Sequence, residues 1–240
     1  MNQTTQAVNE SGGHKTVAVL AVKRFDAAKS RLAVSIDPAS RRNLARAMLQ
    51  DTLAQLADCD EIDHLVIASS EPEMAQLAPN AEVVARDADV SHSAAAAAGI
   101  LAALAHGATT VLLLPGDCPL VRAAEIDSLI TATRADGLGV CVVPDHTGTG
   151  TNALVLTPPT AIAPAFGPDS RLRHLQLAHE AGMTAATATV HGLSLDIDND
   201  TDFEDLANRL SEPGHVALHA ENAIAEIMLD RHRLPGGMAR

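Results

Sequence analysis

Short apolar β-type segments alternate with longer helical segments over most of the chain, and this alternation is what most restricts the fold. The first segment, residues 16–22, is almost continuously apolar and rich in β-branched residues, which is typical of a strand covered on both faces. Helical stretches of ten or more residues between such strands indicate βαβ crossovers and a mainly parallel sheet. The pattern therefore predicts an α/β protein, a single domain with three α/β/α layers. We predict strands at residues 16–22, 65–68, 82–85, 110–114, 140–143, 153–156 and 186–190, and helices at 38–57, 71–77, 91–105, 123–134, 171–180, 201–210 and 215–230.

The 240 residues divide into one main domain with two short appendages. We expect a disordered tail over residues 1–14, the domain over 15–212 and a helical tail over 213–240. The tail helix can dock on the body of its own chain or on a second subunit, so a homodimer is one predicted assembly. The polar first residues lack an apolar stretch, and no apolar run approaches membrane-spanning length, so we expect no membrane partner.

Charge and aromatic content argue against a nucleic-acid partner. The formal net charge is −13 and aromatic residues make up 1% of the chain, so both clustered cations and stacking platforms are scarce. The three lysines, Lys15, Lys23 and Lys29, all precede residue 30, where Arg24 and Arg31 join them. This basic loop is suited to a small anionic substrate, although a solvated loop has the same composition.

The three cysteines, Cys59, Cys118 and Cys141, have no CxxC spacing. An odd number without that spacing fits neither a disulfide framework nor a zinc knuckle. We expect buried, reduced thiols and a cytoplasmic protein.

Asp117 is the first candidate for a functional residue. It follows the apolar run 112–114 and the breaker Pro115-Gly116. Open parallel sheets bind ligands outside the carboxyl ends of their strands, and this acid is predicted at such an end. The alternative is an ordinary solvated turn residue, which Asp often is.

Two later loops are suited to oxyanions. Residues 145–152 are rich in Gly and Thr and offer backbone N–H groups and hydroxyls, although a flexible hairpin turn has the same composition. Residues 166–170 precede a helix, where Ser170 or Asp169 can act as N-cap and the helix N-terminus can also bind a phosphate. Capping alone is the more common role.

A pair of acids lies near the C-terminus of the domain. Period-two spacing puts Asp196 and Asp198 on one side of an extended segment and Ile197 on the other. Two ionised carboxylates on one face either share a cation or face solvent. Together, the strand-end acid, the acid pair, the basic loop and the oxyanion loops match a metal-dependent transfer of a nucleotidyl group.

The order of these motifs resembles the CofC/FbiD guanylyltransferases over about residues 16–210. The resemblance rests on Lys23-Arg24 through Ala28-Lys29-Ser30-Arg31-Leu32, on Pro115-Gly116-Asp117-Cys118-Pro119-Leu120, on Pro144-Asp145 with Gly148-Thr149-Gly150-Thr151-Asn152-Ala153-Leu154, on Phe166-Gly167-Pro168-Asp169-Ser170 with Arg173-His174, and on Asp196-Ile197-Asp198. It implies a nucleotide-diphospho-sugar transferase-like (glycosyltransferase-A-like) fold. It also implies transfer of GMP from GTP to 2-phospholactate, phosphoenolpyruvate or 3-phosphoglycerate in deazaflavin coenzyme (F-420) biosynthesis.

The same resemblance implies roles for individual residues. Mg²⁺ would be held by Asp117, Asp196 and Asp198, and Asp117 and Lys29 would be catalytic. The nucleotide would be bound by Lys23, Arg31 and Ser93, and the phospho-acid by Thr151, Gly167 and Ser170.

This chain departs from the family pattern at three places. Ser91-His92-Ser93 stands where the family usually has a Gly-Leu-Asn-like motif, His146 stands where relatives often have Arg, and Asn199-Asp200 replaces the usual Thr-Pro.

Two other functions are compatible with the residues. One is a related nucleotidyltransferase acting on a sugar phosphate or molybdopterin, although the first loop lacks the GGxSxRxG pattern of those enzymes. The other is a non-catalytic nucleotide-binding module, which would not require all three acids.

Overall fold

A seven-stranded, mostly parallel sheet forms the centre of the protein, whose computed structural model describes residues 13–86 and 90–233. The strand order is β3-β2-β1-β4-β6-β5-β7. Only β6 runs antiparallel to its neighbours, and the other neighbouring pairs are parallel. The strands are β1 (Thr16–Val22), β2 (His64–Ser69), β3 (Glu82–Ala85), β4 (Thr110–Leu114), β5 (Val140–Val143), β6 (Ala153–Leu156) and β7 (Ala185–Thr187).

Helices cover both faces of the sheet and give the predicted three layers. The helices are α1 (Pro38–Ala57), α2 (Met74–Leu77), α3 (His92–Ala105), α4 (Ala123–Ala135), α5 (Ser170–Glu180), α6 (Asp200–Leu210) and α7 (Leu218–Arg233). One hydrophobic core joins α1 and α4 to alternate strand residues such as Leu20 and Leu112. The other joins α3 and α5 to the intervening residues, such as Val19 and Leu113. Successive strand residues point to opposite faces of the sheet. Because helices cover both faces, the central strands must be apolar along their whole length.

Several element boundaries differ from the prediction for local reasons. β7 ends at Thr187 and not at Val190. Its partner β5 ends at Val143, which lies opposite Ala188 in this register, so β5 offers no residues for pairing with 189 and 190. Helix α2 begins at Met74 and not at Glu71, because Glu71 precedes Pro72 and the residue before a proline is disfavoured in the α conformation.

The C-terminal helix α7 packs on the body of its own chain. It begins at Leu218, where the buried Asp51 carboxylate of α1 accepts hydrogen bonds from the N–H groups of His219 (3.0 Å) and Ala220 (2.8 Å). Apolar residues of α7 share a third core with Leu44 and Met48 of α1 and with α6. The predicted domain boundary near residue 212 lies just after α6. The predicted disordered tail lies outside the described residues except for residues 13 and 14, as does the end of the helical tail after residue 233.

The three cysteines are free and buried, as the sequence predicts. Within residues 13–86 and 90–233, no helix has both the length and the apolar character needed to cross a bilayer.

Candidate active site

A cleft of about 310 Å³ lies beyond the carboxyl ends of β1 and β4. Its lining combines cations from the loop after β1 with acids from two distant segments. The polar side chains on its wall are Lys23, Lys29, Ser30, Arg31, His92, Asp117 and Asp198. The strand order brings the loop after β1 close to the turn after β4, because β4 is paired directly with β1 and both strands end at the same edge of the sheet.

Asp117 enters the cleft from the turn after β4. The turn is tight because Gly116 packs against α1: a Cβ atom there would lie 2.8 Å from Leu49 Cδ1. One carboxylate oxygen of Asp117, Oδ2, lies 2.5 Å from Lys29 Nζ. Burial alone would raise the pKa of Asp117, but the Lys29 ammonium outweighs burial and lowers this pKa below its usual value. Asp117 is therefore ionised at neutral pH.

Lys29 is almost fully enclosed, with a side chain that is 5% exposed. Its backbone has φ of 55°, a left-handed conformation that is uncommon for a non-glycine residue and that bends the loop toward the cleft. Burial alone would lower the pKa of Lys29, but the carboxylates of Asp117, Asp198 and Asp196 outweigh burial and raise it. The ammonium group thus lies within the electrostatic reach of all three predicted metal ligands.

The acid pair has the predicted alternation, because Ile197 is fully buried while Asp196 and Asp198 are partly exposed. Asn152 Nδ2 donates to Asp196 Oδ1 at 3.1 Å and to the Leu193 carbonyl at 2.7 Å. Burial raises the pKa of Asp196, with further increases from the charges of Asp117 and Asp198, although the Asn152 hydrogen bond acts in the opposite direction. Asp198 forms an ion pair with Arg31 at 3.0 Å, with both side chains largely exposed.

The three acids have the chemistry of a site for a hard divalent cation, but within the part of the chain that the structure describes their carboxylate oxygens do not all lie within 4.8 Å of one another. All three side chains offer carboxylate oxygens, which Mg²⁺ prefers. The raised pKa of Asp196 shows that burial and like charges disfavour its ionised form, and a cation near the three carboxylates would relieve that repulsion.

Thr151, Gly167 and Ser170 come together beside the cleft. Ser170 Oγ donates to Thr151 Oγ1 at 3.1 Å, and the two loops are also joined by the Arg171 N–H bond to the Thr149 carbonyl at 3.1 Å. Gly167 has φ of 118°, a conformation that side chains rarely adopt. Of the two predicted N-caps, Ser170 is instead the first residue of α5, and Asp169 occupies the N-cap position with φ of 56° but makes no side-chain capping bond. The first N–H groups of α5 are not capped by its side chain.

A buried histidine fixes the orientation of Thr151. His174 is fully buried, and its Nε2 accepts a hydrogen bond from the Ala165 N–H at 2.9 Å. The proton of the neutral ring must then reside on Nδ1, which lies 3.1 Å from Thr151 Oγ1 and donates to it. Burial, with a smaller effect of Arg173, lowers the pKa of His174 to about 4 and keeps the ring neutral. Because Thr151 Oγ1 accepts from both His174 and Ser170, its own hydroxyl proton can be donated to an anion.

The N-terminus of α3 joins the cleft to this hydroxyl pair. Ser93 Oγ accepts a hydrogen bond from the Phe166 N–H at 2.9 Å, so Ser93 binds the loop before α5. Phe166 lies edge-on between two histidine rings, with centroids 4.7 Å from His92 and 5.3 Å from His174. Burial lowers the pKa of His92, which keeps that ring neutral on the cleft wall although the charge of Asp117 acts in the opposite direction.

The departures from the family pattern have structural roles in this chain. Asn199 caps α6, with its Oδ1 accepting from the N–H groups of Thr201 (2.9 Å) and Asp202 (3.2 Å). Asp202 completes a capping box with Asn199. His146 lies beside Asp196, with 3.7 Å between Nδ1 and Oδ1. Ser91 caps α3 through a bond from the Ala94 N–H at 3.2 Å.

Three residues around the cleft have roles that the sequence did not indicate: Asn152, His92 and His174. The i,i+4 spacing of Ser170 and His174 puts both on one face of α5, and this spacing was the available signal for His174. No comparable signal pointed to Asn152, because its partners Leu193 and Asp196 are more than 40 residues away.

The fold defines the class of protein: an α/β protein with the nucleotide-diphospho-sugar transferase type of sheet. A structure from Desulfovibrio desulfuricans described as a nucleotide-diphospho-sugar transferase superposes with a TM-score of 0.72 at 14% identity, covering 91% of this chain and 98% of that one. At that identity the likeness concerns the fold alone.

Sequence comparison defines the family. The profile described as "Guanylyl transferase CofC like" matches residues 16–212, and the chain belongs to this family of guanylyltransferases. A phosphoenolpyruvate guanylyltransferase from Conexibacter woesei is 34% identical over 215 residues, which cover 89% of this chain and 96% of the relative. Another from Sphaerobacter thermophilus is 37% identical over 208 residues, 86% of this chain and 97% of the relative.

Proposed function

We propose that this protein transfers GMP from GTP to a three-carbon phospho-acid, with phosphoenolpyruvate preferred over 2-phospholactate and 3-phosphoglycerate. A phosphate oxygen of the acid attacks the α-phosphorus of GTP. A new bond forms between that oxygen and the α-phosphorus, and the bond from the α-phosphorus to the bridging oxygen of the β-phosphate breaks. Pyrophosphate leaves with that oxygen. The names of the relatives from C. woesei and S. thermophilus support phosphoenolpyruvate as the acceptor.

One observation carries this proposal: a single cleft combines Lys23, Lys29 and Arg31 with Asp117 and Asp198, and the Thr151–Ser170 pair is joined to it through α3. A nucleoside triphosphate and a phospho-acid are both polyanions, so their reaction requires cations at the α-phosphorus and a separate anion site for the acceptor.

The carboxylates of Asp117, Asp196 and Asp198 would hold Mg²⁺, which when bound would neutralise charge on the triphosphate. The raised pKa of Asp196 supports its inclusion, because a group disfavoured in its ionised form gains most from a nearby cation. Asn152 orients the Asp196 carboxylate through its bond to Oδ1.

The cations of the loop after β1 would bind the triphosphate. Lys29 has three donor protons and uses one toward Asp117, so it can also donate to a phosphate oxygen near the reacting centre. Lys23 and Arg31 lie on the cleft wall and would contact outer phosphate oxygens. Ser93 would contribute indirectly, because its hydroxyl positions the loop of Phe166 and so joins the nucleotide and acceptor subsites.

The acceptor would bind to the Thr151 and Ser170 hydroxyls and to backbone N–H groups near Gly167. The His174 tautomer leaves the Thr151 proton available for a carboxylate or phosphate oxygen. The N-terminus of α5 adds partial positive charge at the same place.

The family resemblance supports a role in F-420 coenzyme biosynthesis. The three free, buried cysteines support a cytoplasmic location. A homodimer remains a prediction, and α7 is already packed on its own chain.

The test is a substrate panel on the purified full chain. GTP, ATP, CTP and UTP are each incubated with Mg²⁺ and with each of the three phospho-acids, and also with a sugar phosphate. Pyrophosphate release is measured and the product is identified by mass. We expect turnover with GTP and phosphoenolpyruvate and a product whose mass equals the acid plus GMP less water. Turnover with CTP or UTP and the sugar phosphate, without turnover on GTP and a phospho-acid, would overturn the proposal.

A further inference from the structure

Three metal-ligating side chains meet at the edge of the sheet opposite the cleft. His64 is the first residue of β2, Glu82 is the first residue of β3, and His106 directly follows α3. One ligand atom from each lies within 4.8 Å of the others. Because the cleft lies at the carboxyl ends of the parallel strands, these residues at the amino ends belong to a different site.

The strand register explains why the three side chains share a face. Val66 is paired with Glu82 across β2 and β3, and paired residues of parallel strands point to the same side. His64 lies two residues before Val66 and therefore points to that side as well. Val66 is buried in the core that α3 covers, so the histidine that ends α3 lies over the same face.

An ordinary ion pair accounts for only part of this cluster. His106 Nε2 contacts Glu82 Oε2, a pairing that a surface histidine and glutamate often make. His64 stacks closely on His106, with ring centroids 3.9 Å apart and planes inclined by 42°. Its Nε2 is buried and has no hydrogen-bond partner among the described residues. The His–Glu pair therefore leaves a second imidazole with a nitrogen that the protein does not satisfy.

We propose that His64, Glu82 and His106 bind a divalent transition-metal cation, with Zn²⁺ as the first choice and Co²⁺ and Ni²⁺ as chemical equivalents. Two imidazole nitrogens and one carboxylate oxygen form a three-ligand set to which water can add as the fourth ligand of a tetrahedron. Imidazole donors favour these metals over Mg²⁺, which the all-carboxylate cleft suits better. The positive charge of Lys15 acts on His64 and opposes a cation, while the Glu82 carboxylate offsets it.

Such an ion would tie the end of α3 to the edge of the sheet. Its three ligands come from three elements that are separate in sequence, and β3 is the terminal strand. Binding to the folded chain alone stabilises that chain by mass action. The proposal is independent of the reaction in the cleft.

Co²⁺ is the probe, because its visible absorption reports tetrahedral coordination by protein ligands. The full chain is titrated at pH 7.5 in excess Mg²⁺, which occupies the carboxylates of the cleft, and Zn²⁺ is then added as competitor. We expect one equivalent of tetrahedral Co²⁺ that Zn²⁺ displaces. His64→Gln and His106→Gln are expected to weaken binding by about 100-fold or more, since even outer-shell changes at metal sites cost about 10–100-fold. His179→Gln, at an exposed histidine of α5, is the matched control and keeps the wild-type titration.

Thermal unfolding gives a second measurement and covers the case in which a histidine variant folds poorly. Zn²⁺ should raise the Tm of the wild type and of His179→Gln but not that of Glu82→Gln, whose substitution is at an exposed position. Guanylyl transfer by Glu82→Gln should equal that of the wild type. The proposal is overturned if the wild type shows no tetrahedral Co²⁺ band, or if Glu82→Gln and both histidine variants bind Co²⁺ as the wild type does.

Discussion

At the scale of single residues, the pairing of Lys29 with Asp117 is the contact on which the cleft most depends. The two residues are 88 positions apart, and each alters the ionisation of the other. The pair keeps a carboxylate charged at the end of a buried strand and an ammonium charged in an enclosed loop. The proposed nucleotidyl transfer needs charges of both signs from the protein, and this pair supplies one of each.

Asp117→Asn should lower kcat for guanylyl transfer by at least about 100-fold, or about 3 kcal/mol, because the proposed cation site would lose one charged ligand. It should also lower the free energy of unfolding by about 1–3 kcal/mol, because Lys29 keeps its buried charge without its nearest partner. Initial rates and urea unfolding measure the two effects. Asp205→Asn, at an exposed acid of α6, is the control and should change neither. Wild-type turnover in Asp117→Asn would remove this residue from the reaction.

The neutral His174 ring predicts a pH dependence of stability. Its pKa is lowered to about 4 in the folded chain, against 6.5 for an ordinary histidine. The unfolded chain therefore binds more protons between these values, so the free energy of unfolding falls as pH decreases from about 6.5 to about 4, by up to about 1.4 kcal/mol per pH unit. Above pH 7 both states are neutral at this residue and it contributes no slope.

Urea unfolding at pH 7 and pH 5 measures this effect. The loss of stability on acidification should be smaller in His174→Gln than in the wild type, and unchanged in His179→Gln on the same helix. An equal loss of stability in wild type and His174→Gln would contradict the neutral ring.

His174→Gln should also raise KM for the phospho-acid and leave KM for GTP unchanged. The substitution removes a donor to Thr151 Oγ1 but contacts no cleft residue on the side proposed for the nucleotide.

At the scale of elements, the antiparallel β6 brings the loop of residues 145–152, where we propose that the acceptor binds, to the cleft. β5 and β6 form a hairpin, and β5 is parallel to β4, so the loop between β5 and β6 emerges at the edge where β4 delivers Asp117. The loop before α5 then reaches the same place through the Thr149 and Arg171 backbone bond. The left-handed backbone at Gly167 lies in the loop before α5 and is part of the turn that brings this loop to the cleft.

Gly167→Ala tests this loop. Its φ of 118° disfavours a side chain although the surrounding space is open, so we expect a loss of about 1–3 kcal/mol or a shifted loop. In either case KM for the phospho-acid should rise more than KM for GTP. Gly182→Ala, at φ of 68° after α5, also places a side chain in the left-handed region but lies away from the loop. It should lose stability without the change in KM, and an equal KM change in both variants would argue against a specific role of the loop.

Helix α7 depends on a buried acid of α1. Asp51→Ala removes the acceptor for two N–H groups at the start of α7, so we expect a loss of about 1–2 kcal/mol and faster amide exchange in that helix. Asp58→Ala, at the exposed end of the same α1, is the control. Unchanged exchange in α7 after Asp51→Ala would show that apolar packing alone holds the helix.

At the scale of the whole molecule, local patterns predicted most of the fold and fewer of the contacts in the site. The strands 16–22, 110–114, 140–143 and 153–156 have the predicted bounds, because a strand covered on both faces must be apolar along its length. The terminal strand 82–85 also has its predicted bounds, although it is only partly buried. Period-two spacing also predicted the buried Ile197 between two partly exposed acids.

Contacts between distant segments could not be predicted in this way. The bond from Asn152 to Asp196 and the network of Thr151, His174 and Ala165 depend on strand order and loop conformation, which local propensity does not encode. Likewise, the early end of β7 depends on its partner strand and not on its own residues. The cluster of His64, Glu82 and His106 could not be predicted from the sequence for the same reason, since the two histidines are 42 positions apart.

The central claim is that the α-phosphorus of GTP is transferred to the phosphate of the acid, and isotope labelling tests it directly. The full chain is incubated with Mg²⁺, phosphoenolpyruvate and GTP carrying ³²P at either the α or the γ position, and the products are separated. We predict that the α label appears in the guanylylated acid and the γ label in pyrophosphate, in equal amounts and only when the acid is present. Label from the γ position in the acid, or release of pyrophosphate and GMP without the acid, would contradict the account.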